Sequence, residues 1–395
     1  MSPDLQHCVD LLQQMIRTLS LPGHEGELAS LVANEMHDLG YDEIRIDEVG
    51  NVLGRIEGRG QAPALMFNTH LDHVDVGDPA GWPHPPFGGE IHDDRVWGRG
   101  AVDIKGPMAA QVVGVARLLA GERPPGDVWV TAVVQEEIGG VGARHLAETL
   151  PPIPIVVVGE PSHNTLRRGH RGRTELVAHI SGRSVHASVP ERGVNPLFAL
   201  GLFLSGLETL KMPTDTDLGP STVAPTLLRT DQTSANVVPG EVWQTCDWRN
   251  IPGQSGEDAR AMLQAVAARV LAENPAHAES EIDVVIPVIE RRTYTGLERP
   301  IPGANPAYIL PADHPAVVAA EDICREVLKE DRPTGVWQFA TDGGHFAEAG
   351  MAPVGFGPGD EYLAHTVNEH IEISALEEAM AVNEALARNL AAEAS

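Results

Sequence analysis

Short, uninterrupted apolar runs that alternate with helix-like stretches are the feature that most constrains the fold of this chain. Three such runs occupy 64–67, 128–134 and 153–158, and a stretch at 105–119 rich in alanine, valine and leucine lies between the first two. Strands buried on both faces have continuous apolar character, and strands that alternate with helices build parallel sheets. The pattern predicts an α/β domain with a mostly parallel, mixed sheet flanked by helices.

A different pattern occupies the middle of the chain. The predicted order strand–helix–strand–strand–helix–strand covers 174–180, 195–210, 221–229, 241–248, 256–271 and 282–288. This order is typical of a ferredoxin-like layer, in which one amphipathic sheet carries helices on one face. We therefore expect a catalytic domain from residues 1–172 and 290–395, interrupted by an inserted ferredoxin-like α+β lid at 173–289. The proline-rich text that follows, through Pro302, is expected to be a loop.

Composition argues against several kinds of partner. The 395 residues carry a net charge of −28, whereas nucleic acids and anionic membranes attract basic surfaces, so neither is an expected partner. No continuous apolar stretch reaches the roughly 18 residues of a membrane span. Residues 1–14 lack the features of a signal peptide, and Cys8, Cys246 and Cys324 have neither metal-binding nor disulfide spacing. The expectation is a cytoplasmic protein with reduced thiols.

Acidic and imidazole side chains follow the predicted strands at the point where each strand ends. His70 and Asp72 come after the first run, Glu136 and Glu137 after the second, and Glu160 after the third. Because ligand sites of open α/β sheets lie beyond the carboxyl ends of the strands, we expect these side chains in one cleft.

Two further residues are expected at the same edge of the sheet. Asp103 comes just before the helix-like stretch, and His365 lies in a loop after a predicted strand at 353–356. Several carboxylates at close range cannot all stay ionised without cations. Imidazole and carboxylate are ligands of zinc, and a shared carboxylate can hold two metal ions roughly 3.5–4 Å apart. The residues therefore predict a two-metal site whose bridging water has a lowered pKa and acts as a nucleophile.

Two local patterns add detail to this site. Asp72 is placed to accept the second ring N–H of His70 and so to orient the imidazole. Neighbouring residues of a regular strand point to opposite faces, but Gly139 and Gly140 indicate that the strand has ended, so Glu136 and Glu137 can both face the cleft. An alternative is that these adjacent acids cap the start of a helix.

Seven segments of the chain together resemble those of one enzyme superfamily. They are Asn68–Asp75, Gly98–Gly106, Glu136–Gly140, Val158–Pro161, Ala340–Gly344, Gly355–Gly359 and His365–Glu369. In their order and content they are similar to the dinuclear zinc aminoacylase, carboxypeptidase G, acetylornithine deacetylase and succinyl-diaminopimelate desuccinylase superfamily. The resemblance covers nearly the whole chain, and the segments are specific as a set.

The resemblance implies a role for each metal-binding residue. Asp103 would bridge two zinc ions, for which cobalt or manganese are possible substitutes. His70 and Glu160 would complete one metal site, and Glu137 and His365 the other. The peptide bond that follows Asp103 is expected to be cis.

Catalytic and substrate-binding residues are implied in the same way. Glu136 would be the general base and acid, and Asp72 would orient His70. In the lid, His186 would cross a homodimer interface to stabilise the tetrahedral oxyanion. The candidate substrate-binding residues are Arg249, which can pair with a carboxylate, Asn236 and Arg171.

The function expected from this resemblance is hydrolysis of an amide bond in N-acyl amino acids or short peptides. A hydroxide that bridges the metal ions would attack, with Glu136 moving the proton. Glu160 stands where the branch that acts on carbamoylated amino acids has histidine, which favours the deacylases and peptidases. Two alternatives stay open: an aminopeptidase or dipeptidase that recognises a free amine, and a metal-binding protein without catalysis.

Overall fold

The computed structural model describes residues 1–151 and 153–393 of the chain. Its α-helices are α1 (Pro3–Arg17), α2 (Gly26–Leu39), α3 (Lys105–Ala116), α4 (Val141–Thr149), α5 (Pro196–Glu208), α6 (Gly256–Glu273), α7 (Pro315–Leu328), α8 (Gly343–Glu348) and α9 (Ile373–Glu393). Its strands are β1 (Glu43–Ile46), β2 (Val52–Ile56), β3 (Leu65–His70), β4 (Glu90–His92), β5 (Arg95–Trp97), β6 (Val128–Val133), β7 (Ile155–Val158), β8 (Arg167–His170), β9 (Arg173–Ser181), β10 (Val185–His186), β11 (Thr214–Asp215), β12 (Gly219–Pro220), β13 (Thr222–Thr230), β14 (Val237–Val238), β15 (Glu241–Arg249), β16 (Glu281–Val285), β17 (Val288–Arg292), β18 (Glu298–Pro302), β19 (Ala304–Asn305), β20 (Tyr308–Ile309), β21 (Gly335–Trp337), β22 (Ala352–Gly355) and β23 (His370–Glu372).

The predicted α/β domain is confirmed, with a mixed central sheet. Its strand order is β1-β2-β6-β3-β7-β22-β8-β20, and β21 pairs with β8. The four central strands β6, β3, β7 and β22 run parallel. Antiparallel pairs join β1, β2, β8 and β20 to the sheet, whereas β21 runs parallel to β8. The carboxyl ends of the central strands therefore share one edge.

Helices cover both faces of this sheet, which explains why its strands are apolar without interruption. On β3, Leu65 and Phe67 belong to the core beneath α1, α2, α3, α7 and α9, whereas Met66 belongs to the core beneath α4 and α8. Successive strand residues point to opposite faces, so an apolar side chain is required at each position. Helix α2 ends at Leu39 and is capped by Gly40, which has a left-handed conformation with a φ of 89°.

The lid has the predicted ferredoxin-like order of elements. Strands β13, β15, β9 and β16 form an antiparallel sheet in that order, and α5 and α6 pack against it. Burial alternates along β9 and β15, because only one face of the sheet contacts the helices. Phe203 and Trp248 lie in a core separate from that of the central sheet. Helix α6 starts at a capping box in which Ser255 and Asp258 exchange hydrogen bonds with each other's backbone.

The expectation of a loop after residue 289 is wrong, because β17 and β18 form a hairpin. Their register runs from Val288 opposite Pro302 to Arg292 opposite Glu298. Proline lacks the N–H that a central strand needs, but β18 belongs to a two-stranded sheet and can leave that position unpaired. The proposed division into 1–172, 290–395 and 173–289 has its second boundary inside β17.

Other expectations concern the thiols and the membrane. All three cysteines are free and buried. Within residues 1–151 and 153–393, no helix combines the length and apolar character needed to cross a membrane.

The contact between α3 and α9 gives a test of the packing that supports the sheet. A Cβ on Gly114 of α3 would lie 2.8 Å from the carbonyl oxygen of Met380, whereas a Cβ on Gly201 of α5 would meet no atom within 4 Å. Alanine gains about 1 kcal/mol of helix propensity at either site, but overpacking costs roughly 1–3 kcal/mol. We expect Gly114→Ala to lower the thermal unfolding midpoint and Gly201→Ala to preserve or raise it. Circular dichroism measures both midpoints, and equal shifts in the two variants would contradict the close contact.

Candidate metal centre

A cleft of about 600 Å³ lies at the carboxyl edge of the central strands, beneath residues of the lid and of the β17–β18 hairpin. Its lining includes Asp103, Glu136, Glu137, Glu160 and His365. The structure therefore brings together side chains from four separate parts of the sequence, as the strand-end positions predict.

Asp103 lies at the centre of this group and faces two imidazoles. Its Oδ1 is 3.1 Å from Nε2 of His70, and its Oδ2 is 3.1 Å from Nε2 of His365. The Nε2 atom of His70 is also 3.6 Å from Oε1 of Glu160, and that of His365 is 2.9 Å from Oε1 of Glu137. The residues thus form two imidazole–carboxylate pairs that share the carboxylate of Asp103. This donor set fits two neighbouring divalent cations.

The adjacent acids Glu136 and Glu137 reach the cleft because the chain leaves strand geometry just before them. Strand β6 ends at Val133, and Gln135 has a φ of 56°. The backbone N–H groups of Glu136 and Glu137 then donate to Oδ1 and Oδ2 of Asp72, at 3.0 and 3.1 Å. Both side chains line the cleft, and neither residue begins the next helix, which starts at Val141.

The imidazole of His70 is oriented by the backbone as well as by a carboxylate. Its Nδ1 lies 3.0 Å from the carbonyl oxygen of Asp72 and 3.5 Å from Oδ1 of the same residue. The carbonyl is thus the nearer acceptor, although the sequence pointed to the carboxylate. If Nδ1 carries the proton, Nε2 of His70 is unprotonated. This nitrogen, which faces Asp103, is then the atom that could bind a metal ion.

The loop that carries Asp103 is held by a buried glutamate to which the sequence assigned no role. Oε1 of Glu369 accepts hydrogen bonds from the N–H groups of Val102 and Asp103, at 3.0 and 3.1 Å. The other oxygen of Glu369 pairs with Arg99, which is also buried. The Asp103–Ile104 peptide bond is cis, as expected.

Burial and the crowding of like charges together govern the electrostatics of the cleft. Burial, helped by neighbouring carboxylates, raises the pKa of Glu136 and Glu160 well above the usual value. Contacts with Asp103 and Glu137 raise the pKa of His365 to about 10. Burial opposes ionisation of Asp103, but its two histidine contacts prevail and lower its pKa. The site therefore favours added positive charge, which divalent cations supply.

Asp342 is a further acid of the site. It lies in the segment Ala340–Gly344, and the sequence assigned it no role. Its Oδ2 accepts a hydrogen bond of 3.2 Å from Nδ2 of Asn68 on β3. Burial raises the pKa of Asp342 to about 7, and the nearby carboxylate of Asp72 adds to the shift. Asp342 also contributes to the raised pKa values of Glu136 and Glu160.

The two candidate arginines of the lid region differ in position. Arg249 lines the cleft, and its Nε donates to Oδ1 of Asp247 at 2.7 Å. Arg171 is outside the cleft lining, and its guanidinium donates to the carbonyl of Leu218 through both Nε and a terminal nitrogen.

His186 and Asn236 lie together on the lid but do not line the cleft of their own chain. The N–H of Ala187 donates to the carbonyl of Asn236 at 2.9 Å. The side chain of His186 is exposed, with Nδ1 2.7 Å from Oγ of Ser188. A contact between this histidine and a substrate thus requires a second chain or movement of the lid.

A second group of possible metal ligands lies on the surface hairpin β4–β5. Oε2 of Glu90 is 2.8 Å from Nε2 of His92 and 3.8 Å from Nδ1 of His84. The side chains of Glu90 and His92 are both 44% exposed, so water screens their charges. This cluster lacks the crowded, buried carboxylates that surround Asp103.

The chain matches a known hydrolase family. The model of Peptidase family M20/M25/M40 matches residues 66–389, and the chain belongs to this family. It is therefore a hydrolase of the metallopeptidase and amidohydrolase type.

Particular relatives and a solved structure agree with this membership. The Escherichia coli K12 protein YgeY is 30% identical over 365 residues, which cover 91% of this chain and 88% of that protein. The succinyl-diaminopimelate desuccinylase of Dinoroseobacter shibae is 32% identical over 279 residues, which cover 67% of this chain and 73% of that enzyme. The Bacillus subtilis YXEP protein, described as a dinuclear metal binding peptidase, has the same fold, with a TM-score of 0.74, 16% identity and 99% of both chains covered.

The raised pKa of Asp342 makes a prediction about stability. Because its pKa rises from 3.8 to about 7 on folding, its stabilising contribution is complete below the lower value and is lost as the pH rises through the higher one. The variant Asp342→Asn keeps an oxygen for Asn68 and removes this titration. After chelation, we expect its melting temperature to fall less than that of the unmodified protein between about pH 5 and about pH 7.

Differential scanning fluorimetry at the two pH values measures this difference. The exposed carboxylate of Asp38 provides a matched control, since its side chain is 79% exposed. Asp38→Asn should keep the original pH dependence. Parallel curves for Asp342→Asn and the unmodified protein would show that Asp342 does not titrate in this range.

Proposed function

We propose that this chain is a dinuclear metal-dependent hydrolase that cleaves an amide bond of N-acyl amino acids or short peptides. The observation that carries the proposal is the position of Asp103, whose two carboxylate oxygens face different imidazole–carboxylate pairs. Zinc is the proposed metal, with cobalt or manganese as possible substitutes, because imidazole and carboxylate together are zinc ligands. The metallopeptidase family to which the chain belongs supports this chemistry.

The ligands divide between two ions. His70 and Glu160 would hold one ion, Glu137 and His365 would hold the other, and Asp103 would belong to both. Divalent ions, when bound, acidify a water molecule and polarise the carbonyl of the substrate. The protein residues keep the donors in place, because Asp72 and Glu369 fix the backbone around them.

Of the three glutamates at the strand ends, Glu136 is the one that remains for proton transfer. Among the described residues, neither His70 nor His365 forms an ion pair with it, in contrast to Glu137 and Glu160. Glu136 would take a proton from the attacking water and pass it to the departing amine, which general acid–base catalysis requires. The hydrogen bond from its backbone to Asp72 holds it at the edge of the cleft.

The lid side of the cleft supports a substrate with a carboxylate. Arg173 and Arg249 both line this side, and guanidinium groups pair with carboxylates and repel ammonium groups. This favours an N-acyl amino acid or a peptide with a nearby carboxylate over a substrate recognised by its free amine. Of the two arginines expected to contact a substrate carboxylate, Arg249 lines the cleft, whereas Arg171 has its guanidinium engaged elsewhere.

A homodimer formed through the lid is part of the proposal. Strand β13 is an edge of its sheet, and Leu227 and Leu228 on it are 70% and 56% exposed. Phe198, on α5 of the same lid, is 63% exposed. Exposed edge strands and apolar patches are typical of association surfaces. In such a dimer the partner's His186 would stabilise the oxyanion, and the partner's Asn236 would contact the substrate. A cytoplasmic location is also proposed, supported by the free thiols.

Hydrolysis and its dependence on Glu136 test the proposed reaction. Metal-free protein is loaded with zinc, cobalt or manganese and assayed on N-acetyl and N-succinyl amino acids and on dipeptides. We expect turnover by the loaded protein and a loss of about 10²–10⁴-fold in kcat for Glu136→Gln, because proton transfer is removed. Elemental analysis should show unchanged metal content in this variant. Near-normal activity of Glu136→Gln with full metal content would exclude its proposed role.

Mixing two inactive variants tests whether His186 acts across a dimer. His186→Ala and Glu136→Gln are unfolded together, refolded as a mixture and assayed. In a mixed dimer, one cleft combines an intact Glu136 with the partner's intact His186, so random pairing should restore about a quarter of the original activity. Each variant refolded alone serves as the control. If the mixture is no more active than the average of the two controls, His186 does not act in the partner's cleft.

A further inference from the structure

Two of the three arginines that line the cleft are already paired with protein carboxylates. Nε of Arg173 donates to Oδ2 of Asp247, and Nε of Arg249 donates to Oδ1 of Asp247, both at 2.7 Å. A terminal nitrogen of Arg173 also lies 3.7 Å from Oε2 of Glu175. Asp247 and Glu175 thus offset the charges of these two arginines.

The third arginine, Arg291, has no such partner. No carboxylate in the part of the chain that the structure describes lies within 4.0 Å of its guanidinium nitrogens, and its Nε is buried without a hydrogen-bond acceptor. Glu175 is the acid that acts on it from a greater distance, and burial lowers its pKa. A buried donor without an acceptor is costly, and the cost is larger for a charged group. An anion in the cleft would remove this cost.

The register of the β17–β18 hairpin explains why the protein supplies no counter-charge to Arg291. The residue directly opposite it is Arg299, so its cross-strand neighbour has the same charge. Arg299 itself pairs with Glu148 at 3.1 Å and does not line the cleft. The next opposed pair on the same face is Ile289 and Ile301, and both line the cleft. Arg291 therefore sits beside an apolar surface of the cavity that contains the candidate metal ligands.

The charged residues on this side of the cleft can neutralise one added anion. Three guanidinium groups face the two carboxylates of Glu175 and Asp247, so one positive charge is unpaired. Within the function proposed above, we propose that Arg291 binds the carboxylate of the substrate, while Ile289 and Ile301 contact an adjacent apolar group. Arg249 then serves mainly to position Asp247 and the lid. The ligand class is a monoanionic carboxylate such as that of an N-acyl amino acid, which a guanidinium binds through two parallel hydrogen bonds.

A substrate pair that differs only in its carboxylate tests this assignment. Acetate release from N-acetyl-L-methionine and from N-acetyl-L-methioninamide is measured for the metal-loaded protein, Arg291→Gln and Arg299→Gln. We expect Arg291→Gln to lower kcat/KM for the acid by about 10- to 100-fold, chiefly through KM, since a hydrogen bond to a charged group is lost. Its kcat/KM for the amide should change little. Arg299→Gln, on the opposite strand and outside the cleft, should keep the original preference for the acid.

Arg249→Gln separates the two arginines. If Arg249→Gln loses the preference for the acid and Arg291→Gln retains it, the carboxylate belongs to Arg249 and the assignment is overturned. An equal loss on acid and amide in Arg291→Gln would likewise reduce Arg291 to a structural role.

Calorimetric binding of the same two compounds distinguishes failure of the subsite from failure of the proposed reaction. Tighter binding of the acid that is lost in Arg291→Gln supports the subsite, even if the loaded protein hydrolyses neither compound. The absence of hydrolysis would then count against the proposed reaction alone. Hydrolysis without any preference for the acid in binding or turnover would overturn the subsite and leave the reaction in place.

Discussion

The crowding of carboxylates in one cleft is the constraint on which the rest of this structure depends. Asp103, Glu136, Glu137, Glu160 and Asp342 meet at the edge formed by the parallel central strands, where Glu160 and Asp342 are buried and the other three are partly buried. Without positive charge, such a group favours protonation, and this is the direction in which the pKa values of the glutamates shift. The imidazoles supply part of the positive charge, and divalent cations would supply the remainder. A cluster of like charges lowers the stability of the folded protein. The same cluster is what a hydrolytic metal centre needs to bind its cations.

The protein holds this group together through its backbone. The carboxylate of Asp72 joins the end of β3 to the loop after β6 by accepting the N–H groups of Glu136 and Glu137. Glu369 does the same for the loop of Asp103. These buried acids face N–H donors instead of the cleft, so the ligands are held by hydrogen bonds that do not use their own oxygens. The positions of the proposed ligands also follow from strand ends that packing already fixes.

Much of the fold followed from periodicity, and the exceptions have physical causes. Continuous apolar runs identified β3, β6 and β7, because helices bury both faces of the central sheet. In the lid, the strands predicted at 174–180 and 241–248 correspond to β9 and β15, whose burial alternates because only one face of that sheet is buried. The hairpin β17–β18 was not predicted, because its prolines resemble those of a loop. It also has no third strand, so its residues show no regular pattern of buried positions. The clustering of the proposed metal ligands was predictable, since their residue types and strand-end positions carry the signal. Arg291 was not, because an arginine in a presumed loop gives no sign of the cavity it faces.

By itself the sequence determined the class of each domain, the edge of the sheet at which the acids and histidines would meet, and the chemistry that such a set can perform. These properties depend on local patterns: side-chain periodicity, strand ends and ligand type. Only the tertiary structure decided the distances at which the imidazoles approach Asp103, which backbone groups Asp72 and Glu369 hold, and which arginine is left without a counter-charge. Those properties depend on distances between residues that are far apart in the chain. A cross-strand register or a shared carboxylate exists only after folding has brought both partners together.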